Sequence, residues 1–159
     1  MTDPLSANDN YFATRHCHPQ WRLVLSALFD KLLQSVPQAE ARLFLHQVGA
    51  NLALDLPLGA QDTLDTLQAA INKRWAELDW GFVTLTSTEQ YLEIRHHHCP
   101  VPYHQGRVSD AAKQSLAMML EGVYSSWLMA QGGEPDVQAQ CVSQNDDVVL
   151  HYGKQNQDA

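Results

Sequence analysis

No stretch of the sequence approaches eighteen consecutive apolar residues, so no segment is expected to cross a membrane as a helix. Cysteine is scarce. Three residues, at positions 17, 99 and 141 of a 159-residue chain, are an odd and widely spaced set. That argues against a disulfide framework and for reduced thiols in the cytoplasm. Positive charge is scarce as well. Ten Lys and Arg against eighteen Asp and Glu leave a net charge of -8, which disfavours nucleic acid or an anionic membrane surface as a partner. The opening residues carry no basic start followed by an apolar run, so neither export nor membrane anchoring is expected. There is no glycine-rich phosphate loop, no G-x-S-x-G and no H-E-x-x-H, and Gly132-Gly133 follows a helical stretch, the wrong polarity for an anion site.

The chain does have the material for one hydrophobic core, with 45% hydrophobic and only 18% charged residues. Residues 1–18 show no period and are expected to form a mobile arm, residues 19–152 the folded domain, and residues 153–159 a polar tail. Trp21, Leu25, Leu28 and Leu32 recur at helical spacing after Pro19, which suits a first helical turn. Ala41, Leu45, Val48 and Leu52 repeat that spacing after Pro37, and Gly49 inside this helix points to close helix packing. A third helix, with Asp62 as its expected cap, carries Leu64, Leu67, Ile71, Trp75 and Leu78. "WGFVTLTST" and "YLEIRHH" alternate as a strand pair, "CPVPYHQGR" is expected to be loop, and Ser109 caps the longest helix, through Leu116, Leu120, Val123 and Trp127. "VQAQCVS" and "DVVLHYG" form a second hairpin. Adjacent strand pairs instead of strand–helix alternation predict an α+β domain, with helices packed on an antiparallel sheet made of two hairpins.

The chemical question lies in "YLEIRHHHCPVPYH", where His96, His97, His98, Cys99 and His104 crowd together, with His16-Cys17-His18 upstream. On an extended strand His96 and His98 share a face and offer two ligands, but a zinc site needs more, aimed at one point. The alternative is a strand end whose imidazoles are half exposed, each satisfied by backbone or water, with no metal. The cysteines read as small core hydrophobes. Glu121, mid-helix in apolar context, reads as a buried acceptor for a helix end or an arginine, and no catalytic carboxylate pair is evident.

The segments "ARLFLHQVGANLA", "LDWGFVTLTSTEQYLEIRHHHCP" and "MLEGVYSSWL", in this order between about Pro19 and Tyr152, together resemble the cellulose synthase operon protein D family, an accessory component of the bacterial cellulose synthase complex. Trp80, Gly81, Ile94, His96, Leu120, Glu121, Gly122, Tyr124 and Trp127 carry the likeness. The resemblance implies a non-catalytic accessory protein without cofactor, a homo-octamer built as four dimers, working with other synthase proteins to order β-1,4-glucan into crystalline fibres. It implies structural roles for Trp80, Gly81, His96, Glu121, Gly122, Tyr124 and Trp127. It also implies that glucan passes between protomers beside the segment before the first helix, here His16, Cys17, His18, Pro19, Gln20 and Trp21. Trp21 also heads an apolar stripe, and the core is its expected place. Two other readings compete: a small-molecule-binding or adaptor domain of the haem or vinyl-reductase sensor type, and a zinc hydrolase. A conduit for extruded glucan would belong in the periplasm; the absent leader and unpaired thiols favour the cytoplasm.

Overall fold

The computed structural model describes residues 17–104 and 106–153. Helix α1 spans Pro19–Ser35, α2 Gln38–Asp55 and α3 Leu64–Leu78. Strands β1 (Phe82–Ser87) and β2 (Leu92–His97) follow, then the two-residue strands β3 (Tyr103–His104) and β4 (Arg107–Val108). Helix α4 spans Asp110–Ala130, and β5 (Ala139–Gln144) and β6 (Val148–Tyr152) close the fold.

Local chemistry explains the boundaries. The His18 side chain accepts the Gln20 N–H ahead of Pro19, and the Ser109 hydroxyl accepts the Ala112 N–H. The expected Asp62 cap of α3 is displaced by one residue. Thr63 holds the position, its hydroxyl accepting from the Thr66 N–H at 3.1 Å while Thr66 reaches back to the Thr63 N–H at 3.3 Å. This reciprocal box satisfies two otherwise orphaned donors, which a lone carboxylate at 62 would not. Asp79 ends α3 in the left-handed conformation, with φ 55°. The expected loop at 99–107 contains a small hairpin, pairing Tyr103 with Val108 and His104 with Arg107. Pro100 and Pro102 precede the paired residues, so their missing N–H groups do not interrupt it.

The main sheet has the order β1-β2-β6-β5, antiparallel throughout, so each hairpin contributes one half and β2 pairs with β6 at the seam. The architecture is α+β. Helices α3 and α4 cover one face, α3 against β1 and α4 against β5 and β6. Helices α1 and α2 do not join that layer; they pack on the far side of α4. Two hydrophobic clusters result. One lies between the sheet and α3–α4, around Trp75, Ile94, Leu120 and Leu150, and the other joins α1, α2 and α4 around Phe29, Leu45 and Leu116. Helix α4 serves both, which is why every residue from Ser115 to Tyr124 is buried. A helix apolar all round is a helix enclosed all round.

The first helix departs from expectation. Trp21 is 57% exposed and Leu28 51%, and Phe29 is the one buried residue of α1. The stripe headed by Trp21 is therefore not core. Only its Leu25 and Leu32 edge packs against the second cluster. Elsewhere the expected close packing is present: Gly49 and Gly122 meet where α2 crosses α4. A Cβ on Gly49 would run into the Met119 carbonyl and sit 2.8 Å from Val123 N, and one on Gly122 would lie 2.8 Å from His46 Cα. These glycines set how closely the two helices approach.

Candidate functional site

The residues singled out by sequence fall into three groups in space. The first is a buried chain of polar contacts around His96. β2 carries His96 inward with 0% exposure, opposite Val83 on β1 and Val148 on β6. Its Nε2 lies 2.6 Å from the Trp80 carbonyl oxygen and its Nδ1 2.6 Å from the Tyr124 hydroxyl. The Tyr124 oxygen in turn accepts from the Trp75 indole N–H at 3.0 Å. The proton positions follow from these partners. A carbonyl only accepts, so Nε2 carries the hydrogen; Nδ1 then accepts the Tyr124 O–H. Both ring nitrogens are used and the imidazole is neutral. Desolvation by burial pushes its pKa down to about 4, against a smaller upward pull from the Trp80 carbonyl. Burial holds the Tyr124 hydroxyl well above its ordinary value.

The neighbouring rings explain the precision. Trp75 stacks on Trp80 at 5.4 Å with planes 7° apart and meets His96, Tyr124 and Trp127 at an edge or tilted. The Trp127 indole donates to the Leu56 carbonyl. Gly81, with φ 71°, lets the chain entering β1 pass against the His97 and His98 carbonyls, where a Cβ would collide with both. The other histidines go elsewhere. His97 points outward, 3.1 Å from Asp147 Oδ2 and 3.1 Å from the Thr84 hydroxyl. His98 has left the strand, with φ 56°, so the expected same-face pair of His96 and His98 does not form. Both nitrogens of His96 are committed inside the core. Among the described residues no group of three or more His, Cys, Asp or Glu could hold a metal ion. The thiols are protonated: burial pushes Cys99 up to about 12 and raises Cys17 and Cys141 as well.

The second group surrounds Glu121, which is 2% exposed in the middle of α4. The Arg42 guanidinium donates to its Oε1 at 2.5 Å from α2, and His46, one turn further along α2, brings Nε2 to 3.3 Å from Oε2. That second approach lacks hydrogen-bond alignment, so Oε2 keeps its acceptor capacity. The arginine partner expected for Glu121 is present, 79 residues away in sequence. The third group is the segment before α1. Cys17 is buried, its carbonyl accepting from Arg22 Nε at 2.7 Å, whereas His18, Pro19, Gln20 and Trp21 form a run of exposed residues. His16 lies outside the described residues.

The family model for the D component of cellulose synthase matches residues 7–153. The chain belongs to this cellulose synthase D family. A cellulose synthase operon protein D from Komagataeibacter xylinus is 30% identical over 117 residues, covering 72% of this chain and 73% of that protein. One from Komagataeibacter sucrofermentans is 29% identical over 122 residues, 76% of each chain. Membership implies a role in cellulose synthesis. Among the described residues no helix is long and apolar enough to cross a membrane.

Sequence reasoning missed two partners. Arg42 and His46 on α2 reach Glu121 where Gly49 and Gly122 bring the helices together, and although both lie within the segment "ARLFLHQVGANLA", nothing in it singled them out as partners of Glu121. The spacing of four between Arg42 and His46 was a readable sign that both face one neighbour.

Proposed function

We propose that this member of the family is a non-catalytic accessory component of the cellulose synthase complex, acting in the cytoplasm. It assembles into a homo-octamer of four dimers and orders glucan chains as they enter a crystalline fibre. The observation that carries the assembly is the apolar surface of the first two helices. Trp21, Val24 and Leu28 run along one side of α1, Leu43 and Leu54 stand three turns apart on α2, and all five are exposed together with Leu23 and Phe44. A lone protomer would leave these large side chains in water, whereas a homo-oligomer interface buries residues of this kind. The exposed His18 to Trp21 run lies at the start of the same helix. It offers an imidazole and an amide for the hydroxyl rim of a glucan and an indole for its C–H face. The passage role of His16, Cys17, His18, Pro19, Gln20 and Trp21 is part of this proposal, with Cys17 contributing backbone.

Light scattering tests the assembly directly. The expected result is an oligomer at micromolar concentration, broken down by Trp21→Ser with Leu28→Ser while the protomer stays folded by circular dichroism. A wild-type species at the chain mass of 17.8 kDa would remove the basis of the proposal. For the passage role, removing residues 1–16 is expected to leave the oligomer intact, because that stretch has no periodic apolar residues to bury. The same truncation is expected to lower fibre crystallinity in a cellulose-producing strain whose own copy of this protein has been deleted. Normal fibres would take His16 out of the passage role and leave it to Cys17 through Trp21.

A further inference from the structure

Beside the Arg42–Glu121 pair the structure opens a cleft of about 240 Å³ between the start of α2, the middle of α4 and the edge strand β5. Six polar residues line it: Gln38 and Arg42 from α2, Gln114 and Glu121 from α4, and Ser143 and Gln144 from β5. The β5 wall is shaped by a bulge between Cys141 and Ser143, a device that turns side chains aside at a sheet edge. Met118 and Val142 supply the apolar part of the lining.

The chemistry of this lining selects among ligands. Arg42 and Glu121 cancel, so the cleft has no net charge to offer an ion. An anion meets a buried carboxylate in a chain of net charge -8, and a cation meets the guanidinium. What the walls present instead is a mixture of donors and acceptors. Three carboxamides and a hydroxyl each do both, Arg42 has further N–H groups, and the Glu121 carboxylate accepts one protein hydrogen bond among the described residues. A hydroxyl group also donates and accepts, and a ring bearing several of them has C–H faces that suit Met118 and Val142. We infer that this cleft is a binding site for a neutral polyhydroxylated ring, a single sugar unit or the end of a short glucan. The inference rests on the proposed role beside glucan but places a contact outside the segment before α1, at the edge strand of the sheet.

Titration of the full-length protein with cellobiose and with glucose, followed by calorimetry and by amide NMR, tests it. The expected result is saturable millimolar binding, with shifts concentrated at Gln114, Ser143, Gln144 and the Arg42 side chain. The paired substitution Gln114→Ala and Gln144→Ala should weaken binding at least about tenfold with no change in melting temperature. Glucose 6-phosphate, carrying the same ring and a dianion, should bind more weakly than glucose. Any of three results overturns the site: no saturable binding, shifts that map elsewhere, or affinity untouched by the paired substitution. Because the measurement is made on the isolated protein, its failure leaves the light-scattering result, and with it the assembly proposal, standing.

Discussion

Gly122→Leu is expected to leave no stably folded protein, and even Gly122→Ala to cost about 1–3 kcal/mol or more, read in urea denaturation. At roughly 2–4 °C per kcal/mol for a domain of this size, the alanine variant should melt several degrees early. The reason is what a Cβ would meet. At 122 it meets the backbone of His46, and at 49 the backbone of Met119 and Val123, and backbone cannot swing aside as a side-chain end can. The two positions should also be coupled. A Cβ on Gly49 would lie 3.1 Å from Gly122 Cα, so once alanine at 49 has pushed the helices apart, alanine at 122 costs less than it does alone. Additive losses in the double variant would show that the glycines act separately. The Arg42–Glu121 pair adds to the cost. It spans the same crossing, so separating α2 from α4 also strands a carboxylate that is 2% exposed.

Acid should destabilise the fold through His96 in a definite window. Burial holds the folded-state pKa at about 4, below the ordinary histidine value of 6.5, so between these values the unfolded chain binds a proton that the folded chain refuses. Stability is therefore full above about pH 6.5 and declines as the pH falls toward 4. The gap amounts to roughly 3 kcal/mol at about 1.36 kcal/mol per pH unit. A protonated ring would turn a donor toward the Tyr124 hydroxyl, whose oxygen already accepts from Trp75 and whose hydrogen would lose its acceptor. His96→Gln is expected to be less stable at pH 7 by about 1–3 kcal/mol, since one of the two contacts is lost or stretched, yet to lose less between pH 6.5 and 4. Parallel pH profiles for the two proteins would show that the acid sensitivity comes from other groups.

Most of the architecture was legible because it is written in short-range periodicity. The three-to-four spacing of Leu67, Ile71 and Trp75, and the alternation of Val83 with Leu85, report burial within one element. Trp21 and Leu28 show the limit of that signal. A stripe of apolar residues says that something covers it and not what, and α1 touches α4 along Phe29 and the Leu25–Leu32 edge while the rest faces outward. The small hairpin at 103–108 escaped because two-residue strands are too short to alternate. At the histidine run, period-two reasoning separated His96 from His97 but expected half-exposed imidazoles, whereas His96 is fully buried on the face of Ile94, and it failed at His98, where the left-handed turn ends the strand. Glu121 was readable as a buried acceptor, but its arginine lies on another helix, and no local pattern names a partner across such a distance.

The ring pile at the sheet's inner face also makes the molecule its own optical gauge. Trp75 and Trp80 lie nearly parallel at 5.4 Å, one on α3 and the other on the turn leading into β1, close enough for their indole transitions to couple. Such coupling produces a paired circular-dichroism band that neither indole gives alone and that vanishes with a small change in their mutual orientation. Its amplitude therefore reports the joint between helix and sheet, separately from the helical signal dominated by α1, α2 and α4. Followed during denaturation, the two signals disappear together in an all-or-none transition; an early loss of the indole couplet would mean that the joint between α3 and the sheet loosens while the other helices stand.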